Sequence, residues 1–152
     1  MDIVLRGGIA GSIGVAAYGG TNWLLYHFGL LPYTGIHYNA VFLNPPGTPI
    51  NTLTMTIGVL ASFVTGSFVG VIISFLLQRT GNDYAWLKGM GVGVVLWPVH
   101  VAIIPNSMVP RVYSVLPPVM VLACFFFEAL FGLVTGLVLQ FLSKQEPDKI
   151  GD

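Results

Sequence analysis

Four apolar runs, each long enough to cross a bilayer, leave this chain few ways to fold. They cover roughly Val4–Leu31, Leu53–Leu77, Tyr84–Ile104 and Tyr113–Leu142, where a hydrocarbon core of about 30 Å is crossed by ~20 helical residues. Peptide groups inside lipid must be satisfied within their own segment, so these runs are expected to be helices. The fold class this implies is all-α: a polytopic membrane protein, a four-transmembrane-helix bundle in one membrane domain over residues 1–152. Composition agrees, with 55% hydrophobic residues, 8% charged residues and a mean hydropathy of +0.82, too apolar for a soluble domain of this size. The first run follows Arg6 but is too long and glycine-rich for a secretory leader, and no convincing A-x-A site follows. It is expected to be retained as a span.

The connections differ in kind. Residues 32–52 carry no Asp, Glu, Lys or Arg but contain Pro32, Pro45, Pro46 and Pro49, which predicts an extended or partly interfacial outer loop in place of a helix. A short polar turn, Arg79 to Asp83, joins the second and third runs, and Pro105 to Arg111 joins the third and fourth. The tail, 143–152, is polar. Arg6, Arg79, Lys88, Lys144 and Lys149 fall on one side of this topology and Arg111 on the other, which predicts both termini in the cytoplasm. Trp23, Tyr26, Tyr33, Tyr38 and Tyr113 then mark the outer interface and Tyr84 and Trp86 the inner one, while Trp97 sits deeper.

Each run contains a Gly-x-x-x-Gly pair: Gly7/Gly11, Gly66/Gly70, Gly89/Gly93 and Gly132/Gly136. Lipid removes the hydrophobic drive between helices, and small residues restore attraction by letting backbones approach. With both termini inside, all four pairs fall in the cytoplasmic half, so the bundle is expected to be tight below and splayed above. The second run extends the pattern through Thr54, Gly58, Ser62, Gly66, Gly70 and Ser74. A four-residue row drifts around a helix of 3.6 residues per turn, which suggests right-handed crossings with more than one neighbour.

Glu128 is the one acidic residue within the apolar stretch Val112–Leu142, and an intramembrane carboxylate needs a reason. Cys124, Glu128, Gly132, Gly136 and Gln140 follow at four-residue steps, so Glu128 shares the packing face and points into protein. It reads either as a proton or cation site or as a protonated acid hydrogen-bonded to Ser62 or Thr65 of a neighbouring helix. His100 lies on the same face as Gly93, just after Pro98; His27 and His37 are expected on the same outer side. Three such imidazoles could line a vestibule and ligate a metal or haem, yet no two have ligand spacing on one helix. Any metal is therefore left unknown, and no cofactor is expected. Asn22, beside Thr21 and near Tyr18, either lines the same vestibule or bonds a facing helix.

Several classes are excluded by what the residues lack. Cys124 is the only cysteine, so there is no intrachain disulfide and no CxxC chemistry. Formal net charge is zero and no basic cluster stands outside the runs, so no nucleic acid is expected among the partners. No nucleophile has a second catalytic group at readable spacing, and the glycine-rich start lacks the strand and Lys-Ser/Thr of a phosphate loop, which argues against an enzyme.

Lys88-Gly89, Gly93, Leu96-Trp97 and Pro105-Asn106, together with Asn44-Pro45 and Phe131-Gly132 to Gly136, resemble the YqhR-type four-span membrane proteins of spore-forming bacteria over about half the chain. The resemblance implies a multi-pass protein of the bacterial inner (cell) membrane and carries no activity. The leading expectation is a non-enzymatic bundle that acts in the lipid bilayer by self-association or as part of a membrane complex. The alternatives are a small dimeric proton- or cation-coupled transporter using Glu128, and metal or haem binding in an outer vestibule.

Overall fold

The computed structural model describes residues 2–45, 47–104 and 117–144. Residues 105–116, with Arg111 and Tyr113, and 145–152 lie outside them. Five α-helices account for the described chain: α1 (Ile3–His27), α2 (Gly35–Leu43), α3 (Thr52–Thr80), α4 (Ala85–Pro98), prolonged by a π-helical turn over Val99–Ile103, and α5 (Pro118–Lys144). No strand occurs among the described residues. α1, α3, α4 with its π turn, and α5 are long and apolar enough to cross a membrane.

Local chemistry sets the helix ends. The Asp2 carboxylate accepts from the amides of Val4 (2.8 Å) and Leu5 (3.2 Å), satisfying two orphan donors at the start of α1. α1 stops at His27, four residues short of the apolar run, because Gly29 takes φ +71°. The Gly29 amide then bonds the Tyr26 carbonyl and the Leu30 amide that of Leu25, a Schellman closure. α3 ends at Gly81, φ +83°, where Lys88 Nζ donates to the Thr80 and Gly81 carbonyls at 2.9 Å each. α5 begins with Pro118 in its first turn, where a missing N–H costs nothing.

α2 corrects the expectation of an extended loop. The prolines at 32, 45 and 49 bracket Gly35–Leu43 without entering it. Thr34 caps it: its Oγ1 accepts from the His37 amide (3.3 Å), while the Thr34 amide donates to His37 Nδ1 (3.3 Å). This is a capping box in which imidazole stands where Glu or Gln usually serves. Removing the cap by Thr34→Ala is expected to cost about 1 kcal/mol, seen as faster amide exchange across residues 35–43 with α1 and α3 unchanged. Burial also holds His37 below the usual histidine range. The folded state therefore disfavours the proton: this contribution to stability is complete above the ordinary value and lost as pH falls through the lower folded one. Acid should accordingly loosen α2 in the native chain, and His37→Gln should remove that pH dependence from the same exchange measurement.

The glycines decide which helices meet. A Cβ on Gly11 would strike the Gly66 carbonyl, and one on Gly70 would strike the Gly7 carbonyl and the Gly11 backbone, so α1 and α3 cross with backbones touching. α4 and α5 repeat the arrangement, Gly89 against Gly132 and Gly136, and Gly93 against the Glu128 carbonyl. Gly14 seats α1 on Thr135 and Phe131 of α5. Large apolar residues such as Leu60, Val64 and Phe68 face outward from α3, while its small residues Gly58, Gly66, Gly70 and Ser74 are buried. That is the pattern of helices that associate by close approach.

The four long helices form an open arc in the order α3, α1, α5, α4, with α2 laid against α3. α3 meets α4 and α5 only sparsely. The glycine crossings lie from the middle of the bundle toward the end where the chain begins, and the cavity residues lie toward the other end. There α3 faces α4 and α5 across the cavity described next.

Candidate functional site

A cavity of about 220 Å³ occupies the half of the bundle away from the chain's beginning. α1 contributes Tyr18 and Asn22; α2 contributes Tyr38, Asn39 and Phe42; α3 contributes Ser62 and Thr65. His100 stands on the far wall, with Cys124, Glu128 and Phe131 of α5. The walls are largely apolar and aromatic, with a few polar groups converging at depth, the usual make-up of a small-molecule site.

At its centre His100 Nδ1 lies 2.5 Å from Glu128 Oε1. Three local features produce this contact. Gly93 lets α5 approach until its Cβ position is filled by the Glu128 carbonyl. Pro98 then removes one backbone donor from α4, and the helix widens into the π turn over Val99–Ile103 that carries His100. Trp97 Nε1 donates to the Val121 carbonyl at 2.8 Å, fixing the register of α4 against α5 just beside the turn. Proline within a helix favours a kink; here the chain responds with a change of helix type, which re-aims the following side chain.

Glu128 is buried, its side chain 6% exposed, whereas the His100 side chain remains 34% exposed. Glu128 lies three residues from the middle of α5, about 4–5 Å along the axis. A lone carboxylate there would be severely desolvated, and the imidazole supplies the compensating partner. With one proton shared between Nδ1 and Oε1 the pair is neutral overall, whichever atom carries it.

The roof of the cavity is tied to this pair. Tyr38 Oη donates to the His100 carbonyl (3.3 Å), and Asn39 Nδ2 donates to Ser62 Oγ (2.8 Å). Burial pushes the Tyr38 phenol up to about 12, so it stays a donor. Ser62 Oγ in turn donates to the Gly58 carbonyl (2.8 Å). Ser62 and Thr65 line the cavity without bonding Glu128. The carboxyl finds its partner on α4 instead of α3, because α4 is the helix whose glycines admit α5 closely. Asn22 is 1% exposed, and its Oδ1 accepts from the Gly35 amide at 3.1 Å, so it both lines the cavity and anchors the start of α2.

The other two histidines sit elsewhere. His27 is exposed at the end of α1 and stacks on Trp23, ring centroids 5.4 Å apart. His37 is committed to capping α2 and lies against Tyr26. Among the described residues no three of His, Cys, Asp and Glu gather in a form that could hold a metal ion. Sequence reading missed Tyr18 and Tyr38, which it assigned to no site or to an interfacial belt. The capping box at Thr34 and His37 was the signal that α2 folds back over the cavity.

Comparison with protein-family models, curated proteins and solved structures finds no match to this chain.

Proposed function

We propose that this chain is a small multi-pass membrane protein, both termini cytoplasmic, whose cavity holds a proton-linked small-molecule site. Its working group is the His100–Glu128 pair. The observation that carries the reading is this buried imidazole–carboxyl contact inside an aromatic cavity. Four helices long and apolar enough to span support the membrane setting. Arg6, Arg79, Lys88 and Lys144 gather at the glycine-crossed end, which the positive-inside rule assigns to the cytoplasm. The cavity then opens toward the outer side. The resemblance to YqhR-type proteins agrees with an inner-membrane location and adds no chemistry.

Self-association was attractive because of the glycine faces. All eight of those glycines are engaged by helices of the same chain, so they no longer argue for a second copy. The cavity is likewise lined by one chain's own helices, which supports a site built without a second copy. The protein acts as a non-enzymatic carrier or receptor: a ligand that alters the charge at Glu128 changes how many protons the pair holds.

Proton counting tests this. Protein in weakly buffered detergent with a pH dye is mixed with a panel of small amines, carboxylates and neutral aromatics. At least one member is expected to release or take up a proton in the native protein and not in Glu128→Gln. A silent panel, or a signal that survives Glu128→Gln, removes the reading.

A further inference from the structure

We infer that the cavity accepts one small monovalent organic cation with an aromatic or aliphatic body, in exchange for the proton shared by His100 and Glu128. The inference rests on the proton-linked reading above and names its ligand. Three observations on the cavity walls carry it.

Charge is the first. The titratable groups that line the cavity around the pair are few among the described residues: Tyr18 from α1, Tyr33 from the segment before α2, Tyr38 from α2, and Cys124 on α5 itself, with Ser62 and Thr65 from α3 contributing only hydroxyls. Among the described residues no arginine or lysine lines the cavity. When the pair loses its proton, the product is a neutral imidazole and a carboxylate, and no cationic side chain among the described residues of the walls compensates that negative charge. A cation does so, whereas an anion would add a second uncompensated charge. The exchange balances: the proton leaves Nδ1 or Oε1 for the aqueous phase, the cation's charge replaces it, and the cavity is neutral before and after.

Wall chemistry is the second. Tyr18, Tyr38, Phe42 and Phe131 present rings around the cavity, and aromatic faces attract ammonium groups while rejecting anions. Size is the third. A cavity of about 150 Å³ admits one benzene ring; at about 220 Å³ this one has space for a ring plus a small ammonium head.

Benzyltrimethylammonium is the probe, because it has no proton of its own and any proton released comes from the protein. Its binding to the full chain in nanodiscs is measured by calorimetry in two buffers of different ionisation enthalpy, with phenylacetate and neopentylbenzene as anionic and neutral comparators. The expected result is binding with close to one proton released per cation, weakening about tenfold per pH unit on acidification while the pair is protonated. Both effects should vanish in Glu128→Gln. A Phe42→Leu variant, which leaves the pair intact, is expected to bind severalfold more weakly with the same proton count. Binding without proton release overturns the inference, as does failure of the cation to bind. Tighter binding of either comparator also overturns it. If phenylacetate instead produces a Glu128-dependent proton uptake, the proton-linked site stands and only the cation assignment fails.

Discussion

Gly11→Val is expected to destabilise the folded bundle by about 3 kcal/mol or more, while Gly8→Val, one turn away on the same helix, leaves it unchanged. The new Cβ at position 11 would meet the Gly66 carbonyl and the Gly70 backbone, whereas nothing lies within 4 Å of the same position at Gly8. Overpacking of about 1–3 kcal/mol is typical where side chains can shift. Here the obstacle is main chain on a second long helix, which cannot yield without separating α1 from α3. Gly132→Val tests the other crossing, because its Cβ would meet Gly89 and Met90. Thermal or denaturant unfolding in detergent gives the comparison. If Gly8→Val and Gly11→Val lose equal stability, the loss is not specific to the close approach at Gly11 and the crossings are not as described.

The second large effect concerns the buried pair. Removing one partner, by His100→Leu or Glu128→Leu, is expected to cost about 3 kcal/mol. That is the lower end of the range for broken buried pairs, because a third of the imidazole remains accessible. The double variant, with both residues replaced by leucine, should recover most of that loss, since it leaves no unpaired polar group and apolar side chains of similar bulk fill the gap. Function should separate from stability in this cycle. Proton exchange is lost in all three variants, including the double variant that folds well. Additive losses with no recovery would mean that the two residues act independently and that their contact is incidental.

How far these features could be read from the chain depends on what encodes them. The long helices are written in hydropathy and length, and their crossings in glycine spacing, since backbone approach needs only the absence of a side chain. Glu128 was conspicuous because charge is so improbable there. Its partner was not: choosing His100 over Ser62 or Thr65 requires knowing that α5 lies against α4, and every helix carries the same glycine signal. The π turn at Val99–Ile103 was foreshadowed by Pro98, but a proline specifies a lost hydrogen bond, not which helical form absorbs it. α2 was concealed by prolines that proved to flank it. The histidine-based capping box escaped notice because that motif is usually recognised by Glu or Gln. His27 and His37 looked equivalent to His100 in sequence, since a shared membrane depth says nothing about which way a ring points.

Infrared difference spectroscopy of the protein in nanodiscs, titrated with acid and base, tests the central claim most directly. A shared, exchangeable proton predicts a carboxyl band that responds to pH, is absent in Glu128→Gln and moves to a new frequency in His100→Gln. A carboxyl that stays protonated at every pH and is indifferent to His100→Gln would contradict it, leaving Glu128 as a packing hydrogen bond and the cavity without a proton to exchange.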